Sequence, residues 1–455
     1  MFFEQIYDKT LAQASYMIGC QVTKEAIVID PKRDVDTYLA LAAANNLRIT
    51  HVAETHIHAD FLSGSRELVE LTGAKLFLSD EGGTDWQYEF PHIGLRHEDI
   101  IRVGNLSFES IHTPGHTPES LSFLLTDHPA TDLPVMLFTG DFLFVGDVGR
   151  PDLLEEAVGI AGSKEIGAKQ LFDSLQQFKS LPDYIQVWPG HGAGSACGKA
   201  LGAVPNSTVG YEKIRNWALQ HEDFETFKNE LFHDQPEAPY YFAQMKKLNK
   251  IDRPLLTSVP QHPIITVDEI PEESIIVDTR NKFDFAKGHI PTSINIQNNK
   301  SLANWAGWML PYDKPLVIIA EAPLHEEITR KLMRIGMDNI EAFVLKVEGE
   351  LVEGEIVNAE EVAQQIKDEN TTLLDVRSAV EYRKGHIPGA KHHFVGKLAK
   401  QLPAVDKDRP IIIQCQAGDR ATIASSYLMR HGYKDVKTYI GSMQDWLAKK
   451  YPVTT

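Results

Sequence analysis

The chain of 455 residues has few cysteines, only Cys20, Cys197 and Cys415, and none of them sits in a CxxC pair. So sparse and odd a set excludes a disulfide scaffold and a structural zinc finger, and leaves any important cysteine to act as a thiol. Long apolar runs are missing too: stretches such as Leu316–Ala320 fall far short of the ~18 residues a membrane helix requires. Positive charge is in deficit, with Lys plus Arg at 45 against Asp plus Glu at 63, a net charge of −18. That balance repels phosphate backbones and anionic lipid, so no nucleic acid and no membrane partner is expected, although one basic pocket can still hold a small anion. The opening MFFEQIYDKT carries Glu4 and Asp8 and no basic stretch ahead of an apolar one, so a cytoplasmic protein is expected rather than a secreted one.

What is present is ordinary globular material. Hydrophobic residues are 43% and charged residues 24%, which rules out disorder and fibrous repeats. At about 150 residues per domain the length suggests about three domains. Short β-type runs (Ser15–Ile18, Ala26–Ile29, Ile49–Ala53) alternate with helical stretches (Asp36–Asn45, Gly64–Thr72), the pattern of a layered α/β domain. One or two amphipathic helices over Tyr211–Leu231 are expected to close this domain, placed at residues 1–250, and the proline-containing stretch Arg253–Pro263 reads as a linker.

The rest of the chain repeats itself. IIVDTRNKFDFAKGHIP at 275–291 returns as TLLDVRSAVEYRKGHIP at 372–388, and PLVIIA at 315–320 returns as PIIIQC at 410–415. Two α/β modules of one kind are expected, at 262–345 and 357–455. The charged run KVEGELVEGEI (346–356) between them reads as a solvated connector.

Four short motifs in the first domain carry metal-ligand chemistry: His56-Ile-His58-Ala-Asp60, Pro114-Gly115-His116, Gly140-Asp141 and Gly190-His191-Gly192. Each follows a strand beside Gly or Pro, where a loop can present imidazole or carboxylate into a cleft. One such histidine alone is usually an ordinary hydrogen-bonded residue. His92, His97 and His112 stand in no motif and carry no assignment. The four motifs in order resemble the metallo-β-lactamase superfamily, which implies an αββα sandwich over roughly residues 1–250. Dinuclear hydrolases of that superfamily, such as glyoxalase II, place a further His directly after the Asp of HxHxD; here that residue is Phe61, which cannot coordinate a metal. The strings ETHIHADFLSG, TPGHTPES and TGDFLFVGDVGRPD resemble the persulfide dioxygenase branch. That resemblance implies one Fe(II) per chain, held by His56, His116 and Asp141. Two His and one carboxylate on one face of Fe(II) leave open positions, as non-haem oxygenases require. His58, Asp60 and His191 are expected beside these ligands, orienting them or serving as further metal contacts. The resemblance also places Arg150 near the site, where its charge suits an anionic substrate; an ion pair with Asp147 or Asp152 is the competing expectation. Cys197, six residues past His191, is either an accessory thiol or a packed small residue, with packing favoured, and Cys20 reads as packing.

The last module carries Cys415-Gln416-Ala417-Gly418-Asp419-Arg420 between an apolar strand and a helical stretch. A loop of this kind turns backbone N–H groups inward at a helix N-terminus, which favours a thiolate or persulfide anion and makes Cys415 a nucleophile. Gln416, Ala417, Gly418 and Asp419 would line it for substrate, Gly418 giving its curvature, and Arg420 would add charge at the rim. This loop and the upstream DVRSAVEYRKGHIPGA resemble rhodanese sulfurtransferases. Asp375 and Arg377 are expected to brace the fold. The middle module keeps Asp278 and Arg280 but has Ala320 in place of the cysteine, followed by Glu321, Glu326 and Glu327, and reads as a pseudo-rhodanese with a spacer or docking role.

Together these resemblances imply an α/β chain: an αββα metallo-β-lactamase-like sandwich followed by two α/β rhodanese-like domains. The implied activity is oxidation of a low-molecular-weight thiol persulfide by O₂ to sulfite and thiol. Sulfur transfer from a Cys415 persulfide to sulfite would then give thiosulfate. Competing expectations are a zinc-dependent thioester hydrolase of the glyoxalase II type fused to sulfurtransferase modules, and a non-catalytic persulfide sensor or relay. The expected partners are the thiol persulfide, O₂ and sulfite, and a homo-oligomer is expected.

Overall fold

A computed structural model of the chain describes residues 1–153, 155, 162–195, 197–199 and 201–455. These divide into two compact units, Met1–Val259 with Met333–Gly336, and Pro260–Leu332 with Met337–Thr455. No helix among the described residues is long and apolar enough to cross a membrane.

In the first unit, β1 (Phe2–Asp8), β2 (Gln13–Gly19), β3 (Glu25–Ile29), β4 (Arg48–Ala53), β5 (Lys75–Ser79) and β6 (Ile93–Leu95) form a six-stranded sheet in that order. The first three strands pair antiparallel and the remaining pairs are parallel. The second sheet begins with β7 (Ile100–Val103), β8 (Leu106–His112), β9 (Leu121–Asp127) and β10 (Met136–Gly140). After the hairpin β11 (Leu143–Phe144) and β12 (Asp147–Val148), β13 (Gln186–Pro189) joins β10 in parallel and β14 (Ser207–Thr208) takes the edge.

Side-chain alternation builds the layers. In β3, Ala26 and Val28 pack with Tyr38 and Leu68 of the helices Asp36–Ala44 and Ser65–Thr72, whereas Ile27 and Ile29 face the other sheet, with Phe108, Phe123 and Phe138. In β9, Phe123 and Leu125 join the core between the sheets, while Leu124 turns out to Leu171 and Leu175 of the helix Ser163–Lys179. The result is the expected αββα sandwich. Strands covered on both faces read as near-continuous apolar runs. Each large side chain buried this way contributes about 1.5–3 kcal/mol.

The expected strands and helices lie where the sequence suggests, with two refinements. The Tyr211–Leu231 stretch is two helices, Val209–Arg215 and Phe224–Phe232, joined by a tight turn at Trp217–Gln220. The strand β1 is an addition, only half-buried along most of its length. The consequence for function is at the strand ends: β4, β8, β10 and β13 each run out directly into one of the four motif loops.

The second unit holds the repeat. The strands β15 (Ile264–Ile265), β16 (Ile275–Asp278), β17 (Ile294–Asn295), β18 (Leu316–Ile319) and β19 (Ile340–Val344) form a parallel sheet in the order β15-β19-β18-β16-β17. The strands β20 (Glu355–Val357), β21 (Thr372–Asp375), β22 (Lys391–His392), β23 (Ile411–Gln414) and β24 (Val436–Tyr439) repeat that order, β20-β24-β23-β21-β22. The repeated Asp-x-Arg triplets do the same job in both copies. Arg280 forks onto Asp278 and reaches the Gly288 carbonyl at 2.9 Å, and Arg377 forks onto Asp375 and reaches the Gly385 carbonyl at 2.8 Å. Both pairs therefore brace the loop after the helix that follows them, Lys282–Lys287 in one module and Ala379–Lys384 in the other. The 346–356 run is largely exposed, as a connector should be, yet it is pinned: Val352 exchanges backbone hydrogen bonds with His289, and its last residues begin β20. Its charged side chains face water while its backbone completes the module edge.

Candidate active sites

The motif loops converge at the strand ends. The ligand atoms of His56, His116 and Asp141 all lie within 4.8 Å of one another, and all three residues are buried. Asp141 Oδ2 is 3.9 Å from His56 Nε2 and 3.7 Å from His116 Nε2. His56 Nε2 and Asp141 Oδ2 are buried without a hydrogen-bond partner. A buried polar atom left alone costs roughly 1–3 kcal/mol, and two of them aimed at one point, 3.9 Å apart, are a donor set that fits a cation.

The outward-facing polar atom of each of the three residues is held. His56 Nδ1 meets Thr55 Oγ1 at 3.0 Å, and Thr55 Oγ1 donates to Asp30 at 2.8 Å. His116 Nδ1 meets the Arg150 carbonyl at 3.1 Å. Asp141 Oδ1 accepts from His191 Nδ1 at 2.7 Å, and His191 Nε2 meets Asp60 Oδ2 at 2.7 Å. These contacts turn Nε2 of both histidines and Oδ2 of the aspartate inward. Gly140, at φ +51°, sets Asp141 in place; a Cβ there would stand 2.4 Å from Thr55 Oγ1.

Electrostatics match this division. Burial pushes His56 well below the ordinary imidazole value, with the charge of His58 adding to it, and burial lowers His116 despite Asp141. Both are therefore neutral and able to bind a cation. Burial opposes charge on His58 as well, but Asp30, 3.1 Å away, with Glu54 and Asp60 outweighs it and lifts the imidazole to about 9. His58 is therefore a cation at neutral pH, paired to Asp30 rather than turned to the ligand point.

Asp60, His191 and Cys197 form a second buried group with ligand atoms within 4.8 Å. It differs from the first. Both ring nitrogens of His191 already have carboxylate partners, and Asp60 Oδ1 alone is left over. Burial pushes the Cys197 thiol well up, and Asp60 and Asp141 push it further, so it stays protonated. Phe61 is fully buried with its ring centroid 4.4 Å from that of His58. Cys20 packs in the core between the sheets.

Arg150 is where the competing expectation placed it. Its guanidinium is fully buried and forks onto Asp152 at 3.2 and 2.6 Å. What it gives the site is its backbone carbonyl, to His116. Several residues that no motif points to also build the site. Asp30, at the end of β3, accepts from Thr55 N at 2.7 Å. Glu119 accepts from Ile57 N at 2.7 Å and is pushed up to about 7 by burial. Asn249, on the helix Tyr241–Lys250, donates to the carbonyls of His58 and Phe61 at 2.8 Å each. None of them carries a local sequence signal.

In the second unit, Cys415 directly follows β23 and is 1% exposed, while Gln416 and Ala417 are exposed. Gly418 N–H donates to Cys415 Sγ at 3.1 Å. Gly418 has φ +94°, and a Cβ would stand 2.4 Å from the Ile440 carbonyl, so only glycine fits. Gly418 precedes the helix Asp419–Arg430, so the sulfur sits at a helix N-terminus. Ser442, buried at φ +52°, accepts from Cys415 N at 3.0 Å and holds its hydroxyl 3.7 Å from Sγ. Arg420 forks onto Glu381 at 2.6 and 2.7 Å, so its charge is paired at the rim. In the middle module, Ala320 takes the cysteine's place, and its carbonyl accepts from His325 Nε2 at 3.1 Å.

A sandwich with metal-type loops at one edge, followed by two copies of a parallel module of which one holds a cradled thiol, defines the class. The family models agree: the metallo-beta-lactamase superfamily matches residues 9–191, and the rhodanese-like domain matches 266–345 and 358–449. A solved metallo-beta-lactamase structure from Staphylococcus aureus subsp. aureus COL is 48% identical, covers 76% of this chain and 99% of its own, and superposes with a TM-score of 0.72. The chain therefore belongs to the metallo-β-lactamase superfamily, as a fusion with tandem rhodanese-like domains. Its first domain has persulfide dioxygenases among its homologues. The human mitochondrial persulfide dioxygenase ETHE1 is 28% identical over 194 residues, 42% of this chain and 68% of that protein. A probable polyketide biosynthesis zinc-dependent hydrolase, BaeB of Bacillus velezensis, is 26% identical over 225 residues, 49% of this chain and 90% of that one.

Proposed function

We propose that the chain is a persulfide dioxygenase joined to a thiosulfate-forming sulfurtransferase. The observation that carries the first half is the pair of orphaned atoms, His56 Nε2 and Asp141 Oδ2, beside His116. Two neutral imidazoles and one carboxylate suit a single Fe(II), which when bound supplies electron transfer between an anionic persulfide and O₂. The balanced reaction is RSSH + O₂ + H₂O → RSH + SO₃²⁻ + 2H⁺. The chain's own contribution is positioning: Thr55 and Arg150 O hold the imidazoles, His191 holds Asp141, and the buried strand ends exclude bulk water.

The second half rests on Cys415 under the Gly418 N–H, at a helix N-terminus. Cys415 takes a sulfane sulfur from RSSH and releases RSH, and sulfite attacks the outer sulfur: SO₃²⁻ + Cys415–S–S⁻ → S₂O₃²⁻ + Cys415–S⁻. Tethering the sulfite-forming and sulfite-consuming sites raises the effective concentration of the shared anion.

A second reading, a zinc-dependent hydrolase, is favoured by the name of the Bacillus velezensis relative. Against it, the residue after Asp60 is a buried phenylalanine, and His191 has no free ring nitrogen. Anion chromatography of products tests the proposal. Given a persulfide and O₂, wild type should yield thiosulfate, and Cys415→Ser should consume O₂ at the same rate but yield sulfite. Unchanged thiosulfate from the variant would remove Cys415 from the reading, and absence of O₂ uptake in wild type would remove the dioxygenase.

A further inference from the structure

The middle module has no thiol but carries a lysine whose side chain ends at the other module's loop. We propose that Lys282 is a positioning residue of the Cys415 site, so that the thiol-less module is part of the sulfur-transfer machinery rather than a spacer. This inference rests on the reading of Cys415 as the sulfur carrier.

The geometry runs through one peptide group. Lys282 Nζ donates to the Ala417 carbonyl at 2.6 Å, and the next atom along that peptide, the Gly418 N–H, donates to Cys415 Sγ at 3.1 Å. In a planar trans peptide the C=O and N–H point in opposite directions. Fixing the oxygen outward therefore fixes the hydrogen inward. Ala417 is exposed and Gly418 is at φ +94°, so without that anchor the plane is free to turn its carbonyl toward the sulfur. A carbonyl oxygen facing a thiolate or persulfide repels the charge that an N–H stabilises.

A second contact settles the charge at the rim. Lys282 Nζ also pairs with Asp419 Oδ1 at 2.8 Å, and Asn299 Nδ2 of the same middle module reaches Asp419 Oδ2 at 3.4 Å. Arg420, the loop's own cation, is already committed to Glu381. Remove Lys282, and the Asp419 carboxylate stands without a counter-ion beside the path of a dianionic substrate.

Lys282 is also held ready. It opens the short helix Lys282–Lys287, capped by Asn281, and its backbone N–H donates to Gln297 Oε1 at 2.9 Å. Its side chain is only 17% exposed. The repeat makes the point sharper. At the register that aligns Asp278 with Asp375, the last module has Ala379 where the middle one has Lys282. The cation is a property of the copy without the thiol, and it serves the copy with it.

The test is steady-state sulfur transfer from thiosulfate to cyanide by the full-length chain, with Cys415→Ser as the blank. Lys282→Ala should lower kcat/KM for thiosulfate about 10-fold or more, the usual size of losing a charge-assisted hydrogen bond. The two roles separate in the parameters. Adding Asp419→Asn to Lys282→Ala should bring the raised KM back toward wild type, because the uncompensated carboxylate is gone, and should leave kcat low, because the peptide is still unanchored. A purely structural role for Lys282 would show no such split. Lys282→Met, which keeps the aliphatic stem, replaces the alanine variant under the same criteria if alanine unfolds the module. A kcat/KM equal to wild type in Lys282→Ala or Lys282→Met overturns the proposal, and so does a double variant whose KM stays raised. If wild type itself transfers no sulfur above the Cys415→Ser blank, the reading of Cys415 has failed and the role of Lys282 falls with it.

Discussion

His191 spends both ring nitrogens on carboxylates, one on Asp141 Oδ1 and the other on Asp60 Oδ2, each at 2.7 Å. Asp141 is thereby split into a held oxygen and a free one, and the free one faces His56 and His116. His191→Ala should weaken metal retention by about 10–100-fold while the three ligands stay in place. Metal content after dialysis against graded chelator reads this directly; retention equal to wild type would mean that Asp141 needs no support.

Arg150 is buried against Asp152, so its removal should be felt first as a loss of stability. Truncating one partner of a buried ion pair costs about 3–5 kcal/mol, because the other charge is left behind. Arg150→Ala should show that loss in urea unfolding. A variant of wild-type stability with only a raised KM for persulfide would instead put the guanidinium on the substrate.

Phe61 fills the space where a further imidazole would stand, packed on His58. Phe61→His should therefore allow a second ion to bind with Asp60, and metal analysis should read more than one ion per chain. One ion per chain in that variant would mean that the engaged nitrogens of His191 keep the site mononuclear.

The Arg420–Glu381 pair gives a pH dependence with a fixed sign. Burial works against the charge of Glu381, but Arg420 outweighs it and holds the carboxyl down from 4.5 to about 2. A carboxylate lowered in the folded state adds stability that is complete above its unfolded value and disappears as pH falls through the folded one. Wild type should thus unfold at higher denaturant than Glu381→Gln at neutral pH, with the gap closing as pH drops from 4.5 to about 2. A gap independent of pH would remove the ion pair as its cause.

The sequence made the metal ligands and the thiol loop legible because each is a short run with its own punctuation. Gly140 marks Asp141 and Gly418 marks the cradle, and both glycines hold positive φ. The repeat likewise exposed the Asp-Arg braces, since a pair recurring at one register in two modules points to one structural task. What stayed hidden was made by distance along the chain. Asp30 meets Thr55 from 25 residues away, Ser442 meets Cys415 from 27, and Lys282 meets Asp419 from 137. No local pattern marks such residues; only the fold brings them together. The Arg150 charge was ambiguous for a related reason: Asp147 and Asp152 flank it on either side in sequence, and the structure pairs it with Asp152.

The central proposal is that His56, His116 and Asp141 would hold one iron, at which O₂ would oxidise a persulfide. The most direct measurement is iron content and persulfide-dependent O₂ uptake on the same preparations of wild type and His116→Ala, purified without oxygen. Wild type should carry one iron per chain and consume O₂, and the variant should lose both together. Zinc in place of iron with no O₂ uptake in wild type, or a variant that keeps its iron and its uptake, would contradict the account.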